Sequence, residues 1–151
     1  MPAQVIAEAG VLTFGDKQEG FKFVDEAQKT GISLLKFQCI TPENIVHPSD
    51  SHWLERLKQR ALNKADFLEI MEYGQEKGVI CFASTHNEYD LVELAEAGMP
   101  ILKIGSGDSN NYRMIDMALT TRKPVILSLG LMPEADVFKT LERYKGFHDQ
   151  L

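Results

Sequence analysis

The chain has 151 residues, 44% of them hydrophobic and 25% charged, enough for an ordinary globular protein with one sizeable core. A formal net charge of −6 argues against non-specific nucleic-acid binding, although a local cationic pocket can sit inside an acidic protein. The two cysteines, Cys39 and Cys81, lie in apolar runs and indicate no disulfide framework. No stretch approaches the roughly 18 apolar residues of a membrane span, and Met1-Pro2-Ala3-Gln4 begins no basic region followed by an apolar core. The expectation is therefore a cytoplasmic protein.

Val5 to Gly10 reads as a short strand carrying Glu8, followed by a polar loop from Val11 to Gly20 with Gly15 and Gly20 as breakers. Phe21 to Thr30 has helical spacing and Gly31 as its stop. Ser33 to Ile40 is a second strand, Thr41 to His52 an irregular loop, and Trp53 to Ala61 a short helix. Asn63 is an N-cap for a helix from Lys64 to Lys77, with Gly78 as its stop. Val79 to Ser84 is the third strand, Glu88 to Ala97 the next helix, and Ile101 to Ile104 the fourth strand. Tyr112 to Thr121 is helical, Pro124 to Gly130 is the fifth strand and Pro133 to Tyr144 the last helix. Strands alternating with helices and lacking hairpin signals imply a parallel sheet covered by helices. An open doubly wound sheet is complete at this length, whereas a (β/α)8 barrel takes about 250 residues; length alone favours the open sheet.

In both architectures the carboxyl ends of the strands form the active face. Every strand carries polar residues there: Glu8, then Lys36 and Gln38, then Ser84 and Thr85, then Lys103 and Ser106, then Ser128. Lys103 interrupts an apolar run, and an ammonium group is rarely buried without a partner. The following Gly105-Ser106-Gly107-Asp108 lets backbone amides approach a ligand. Two readings stand for this stretch: an anion site, or a glycine-rich turn with a snorkelling lysine. Lys36 and Glu8 likewise fit either a site or a buried ion pair. Two lysines, a carboxylate and several hydroxyls on one face exceed what stability needs and point to an anionic substrate. His47, His52, His86 and His148 lack metal-ligand spacing, and only His86 falls at the active face. No dinucleotide or phosphate-loop fingerprint is present, and Gly105-Ser106-Gly107 has no triad to serve as a nucleophile elbow.

Several segments together resemble the sialic acid synthase family: the N-acetylneuraminate synthases and their pseudaminate, legionaminate and spore-coat polysaccharide relatives. They are Ile6-Ala-Glu-Ala-Gly10, Lys36-Phe-Gln38, Ala61-Leu-Asn63, Phe82-Ala-Ser-Thr85, Lys103-Ile-Gly-Ser-Gly-Asp108 with Asn110-Asn-Tyr112, and Lys123-Pro-Val-Ile-Leu-Ser128 with Gly130. The resemblance covers nearly the whole chain. It implies an α/β fold, a (β/α)8 TIM barrel of which about five units are present, with residues 1–151 as the N-terminal part of the catalytic domain. The later strands and the family's C-terminal antifreeze-like domain are then absent.

The implied activity condenses phosphoenolpyruvate with an N-acetylated aminosugar, aided by a divalent metal such as manganese or magnesium. By motif, Lys36, Lys103, Ser106 and Ser128 bind phosphoenolpyruvate and Gln38 contacts the sugar. Glu8 and Asp108 lie at the reacting centre, with Asp108 also near the metal. Three segments depart from the family pattern: Leu12-Thr13 in place of Asn-His, His86-Asn87 in place of Pro-Phe, and Leu129 in place of a small residue before Gly130. Two other readings remain: an aldolase using Lys103 or Lys36 as a Schiff-base nucleophile, and a non-catalytic relative that keeps an anion pocket. The 151-residue chain alone is expected to be inactive, and its unclosed sheet edges to make it a homodimer or otherwise self-associating.

Overall fold

A computed structural model describes residues 3–147 and 149–151. The chain divides into two compact units, one ending at Thr85 and the other beginning at His86.

The first unit contains β1 (Ile6–Gly10), α1 (Lys17–Thr30), β2 (Leu34–Gln38), α2 (Pro42–Ile45), α3 (Ser51–Lys58), α4 (Lys64–Glu76) and β3 (Ile80–Ser84). β2 pairs in parallel with both β1 and β3, setting Glu8 beside Lys36, Lys36 beside Phe82 and Gln38 beside Ser84. Leu35 and Phe37 are buried, and the Phe37 ring meets Phe67 of α4 at 5.9 Å between centroids. Because successive strand residues face opposite ways, Lys36 and Gln38 point away from that helix layer. Val24, Phe67, Ile70 and Phe82 are fully buried and complete the core of this unit.

α1 starts four residues before the expected Phe21. The Asp16 carboxylate caps it, accepting from the Gln18 N–H at 2.8 Å, and the helix runs straight through Gly20. Gly20 is no breaker here. A Cβ at that position would lie 2.3 Å from Cδ1 of the buried Ile70, so the absent side chain is what lets α1 pack against α4. Gly74 plays the same part for α4 and β3, where a Cβ would meet the Val79 carbonyl oxygen at 2.6 Å. The expected irregular loop from Thr41 holds a short helix instead, with Pro42 in its first turn, where a missing N–H costs nothing. Asp50 starts α3 two residues before Trp53 by accepting from the Trp53 N–H. Asn63 caps α4 as expected, accepting from the Asp66 N–H at 2.9 Å, and Gly31 ends α1 in the left-handed region at φ 74°.

The second unit contains α5 (Glu88–Glu96), β4 (Leu102–Ile104), a 3-10 turn at Ser106–Asp108, α6 (Tyr112–Thr120), β5 (Val125–Leu127), α7 (Glu134–Tyr144) and a final 3-10 turn at Lys145–Phe147. β4 and β5 are parallel, with Lys103 beside Ile126. Leu91, Leu94, Leu102, Ile104, Met114 and Ile115 form the core. Asn87 and Asn111 cap α5 and α6 through their side-chain oxygens. Among the described residues strand and helix alternate as five β/α units, the repeat of (β/α)8 barrel folds.

Candidate functional site

In the first unit the ends of β1 and β2 bring Glu8 and Lys36 together, with Glu8 Oε2 2.7 Å from Lys36 Nζ. The Lys36 side chain is only 12% exposed and Glu8 is 52% exposed, so the ammonium is held at the sheet surface by a carboxylate that still meets water. A bulge between Glu8 and Gly10 turns the strand end, and a Cβ on Gly10 would lie 3.5 Å from Glu8 Oε1. Gln38 lies two residues beyond Lys36 on the same strand face, half-buried, with its neighbour Ser84 buried. The ion pair expected as one reading of these residues does form. The contact also fixes the direction of the Lys36 side chain.

In the second unit Lys103 alternates with the fully buried Leu102 and Ile104, so its side chain leaves the core face of β4. Its ammonium donates to Ser128 Oγ and to the Ile104 carbonyl oxygen, each at 2.6 Å. That carbonyl also accepts the Ser128 N–H at 3.1 Å, locking the end of β5 to the end of β4. Ser106 opens the 3-10 turn, and Gly130 in the loop after β5 lies beside it, where a Cβ would make ordinary contact with the Ser106 Cβ at 4.0 Å. Asp108 closes the turn, and its Oδ2 lies 2.8 Å from His86 Nδ1. Within this unit Lys103 and Ser128 are joined directly, and Ser106 and Asp108 share the turn after β4.

The His86–Asp108 contact is the site feature that the sequence reading did not supply. His86 is placed by a backbone in the left-handed region, φ 60°, at the start of the second unit. The departure from Pro-Phe at His86-Asn87 was a signal for it, because a histidine at a strand end is a polar investment. A second unforeseen feature is Thr13, whose hydroxyl is buried in the loop after β1 with no hydrogen-bond partner among the described residues. His47 binds Ser49 in a surface turn and His148 lies outside the described residues.

Whether these residues fit a divalent metal can be asked of the donor set. His86 and Asp108 supply two donors that now bond to each other, and among the described residues no group of three His, Cys, Asp or Glu side chains is placed to hold an ion. A cation needs more ligands than this pair provides. By itself the pair does not make a metal centre.

The comparisons agree with the residue pattern. The family model described as NeuB family matches residues 23–150. An uncharacterised protein of Methanocaldococcus jannaschii is 32% identical over 142 residues, covering 93% of this chain and 42% of its own length. A pseudaminic acid synthase of Campylobacter jejuni is 26% identical, covering 93% of this chain and 45% of its own. The crystal structure of an N-acetylneuraminic acid synthetase from Leptospira borgpetersenii superposes with a TM-score of 0.88 at 29% identity, over 97% of this chain and 51% of that one. The chain thus spans about half the length of the relatives it matches, and the open-sheet alternative that length favoured gives way to the synthetase fold. With the family model matching from within α1 to beyond α7, the chain belongs to the NeuB family.

Proposed function

We propose that this chain carries the N-terminal, phosphoenolpyruvate-binding part of a sialic-acid-synthase-type enzyme, which condenses phosphoenolpyruvate with an N-acetylated aminosugar in the cytoplasm. The observation that carries this reading is the Lys103 ammonium tied to Ser128 Oγ and the Ile104 carbonyl at the strand ends. These contacts hold the ammonium at the carboxyl ends of β4 and β5, where an anionic ligand would meet it. Lys103 would take the phosphate or carboxylate of the donor, with the Ser128 and Ser106 hydroxyls adding hydrogen bonds. In the first unit, Lys36, steered by Glu8, is assigned by its motif to phosphoenolpyruvate binding and Gln38 to sugar binding.

Glu8 and Asp108 are the carboxylates available for moving protons at the reacting centre. A divalent metal, when bound, would polarise the sugar aldehyde. Asp108 is proposed as one of its ligands. Residues 1–151 alone are proposed to bind without turning over.

Pyruvate with borohydride tests the assignment of the lysines. An aldolase-type lysine forms an imine that borohydride fixes as a stable adduct, whereas a lysine used to hold an anion does not. Intact-mass measurement should show no adduct. An adduct mapped to Lys103 or Lys36 would replace the synthase reading with the aldolase one.

A further inference from the structure

We propose that His86 is a sugar-binding residue: Asp108 fixes its imidazole so that Nε2 accepts a hydrogen bond from a hydroxyl or amide N–H of the acceptor. An ionised carboxylate can only accept, so the 2.8 Å contact places the proton of that bond on Nδ1, and in the neutral ring Nε2 carries the lone pair. Among the described residues Nε2 has no hydrogen-bond partner, while the side chain stays 32% exposed. The ring is built into place. The left-handed backbone at φ 60° turns it, and it lies so close to Gly105 that a Cβ there would come within 3.3 Å of His86 Cε1. Gly105 joins the strand of Lys103 to the turn of Ser106 and Asp108, so the histidine abuts the junction between three assigned site residues.

The chemistry selects the ligand. A lone pair backed by a carboxylate repels phosphate and carboxylate oxygens and favours a neutral donor such as a sugar hydroxyl or acetamido N–H. The cationic half of this unit, Lys103 with Ser128, suits the anionic substrate, which leaves His86 for the neutral one. The inference rests on the reading that this unit binds phosphoenolpyruvate, and the experiment separates the two.

The discriminating variants are His86→Asn and His86→Gln. Asparagine can replace Nδ1–H toward Asp108 but cannot reach the Nε2 position, and it tolerates a left-handed backbone. Glutamine can place an acceptor where Nε2 stood. Binding of N-acetylmannosamine to the 151-residue chain is followed by saturation-transfer NMR in the presence of phosphoenolpyruvate, and phosphoenolpyruvate binding by phosphorus NMR. The expected result is sugar binding weakened roughly fivefold to tenfold in His86→Asn, held within about twofold in His86→Gln, and phosphoenolpyruvate binding unchanged in both. Unaltered sugar binding in His86→Asn would show that only the Asp108 contact matters and overturn the proposal. So would phosphoenolpyruvate binding in a wild type that shows no sugar binding, which leaves the donor reading standing. Absence of both would remove the donor reading and the proposal together.

Discussion

Replacing Lys103 by alanine deletes one ammonium and two 2.6 Å hydrogen bonds, to Ser128 Oγ and the Ile104 carbonyl. After the substitution the Ile104 carbonyl keeps the Ser128 N–H and the Ser128 hydroxyl can turn to water, so the tie between the ends of β4 and β5 survives. The effect on an anionic ligand should be large. A charge-assisted hydrogen bond contributes about 1.5–3 kcal/mol, so phosphoenolpyruvate should bind roughly tenfold to 150-fold more weakly. Ser128→Ala removes a neutral donor and should cost about 1 kcal/mol. The double variant should lose less than the sum, since the serine is oriented by the lysine it contacts. Calorimetric titration of the three variants, with melting curves as a folding control, measures these quantities. Equal affinity in wild type and Lys103→Ala, with both folded, would refute the assignment of Lys103 to the donor.

Other consequences follow from packing and charge. Gly74→Ala gains helix propensity but drives a Cβ to 2.6 Å from the Val79 carbonyl, a backbone atom that cannot swing away. A net loss of about 1–3 kcal/mol is expected, read as a fall in melting temperature of about 2–4 °C per kcal/mol; a higher melting temperature would disprove the close approach. Burial, with the hydrogen bond to Asp116 adding to it, pushes the Tyr144 phenol up from 10.0 to about 12. The raised folded value makes its contribution to stability whole below pH 10.0 and lost as pH rises to about 12, so denaturant midpoints in wild type should fall across that window more steeply than in Tyr144→Phe. Val5 on the first strand side and Leu131, Phe138 and Leu141 around α7 are more than half exposed. Self-association at micromolar concentration is therefore expected in sedimentation, and a clean monomer near 17.0 kDa would contradict it.

The sequence made the alternation of strand and helix legible because both periodicities are strong and Asn63 and Gly31 mark helix ends by local chemistry. It misplaced the start of α1 because Gly20 carries two meanings. Alone it signals a turn, and only the opposite helix, with Ile70 pressed against the gap, shows it to be a packing residue. Pro42 likewise reads as a loop until it stands in a helix's first turn. At the site, the polar residues at the strand ends could be read from alternation, and Lys103 with Ser128 was found joined as their shared placement suggested. The His86–Asp108 contact links residues 22 apart through a left-handed backbone and a glycine's missing side chain, neither of which leaves a periodic trace in the sequence.

The central claim is that this chain presents a site for phosphoenolpyruvate. Phosphorus NMR of phosphoenolpyruvate titrated with the purified 151-residue chain tests it most directly. A saturable shift or broadening at a single class of site, displaced by inorganic phosphate and diminished in Lys103→Ala, is the predicted result. A phosphorus signal that stays unchanged up to millimolar protein, with the chain folded, would contradict it.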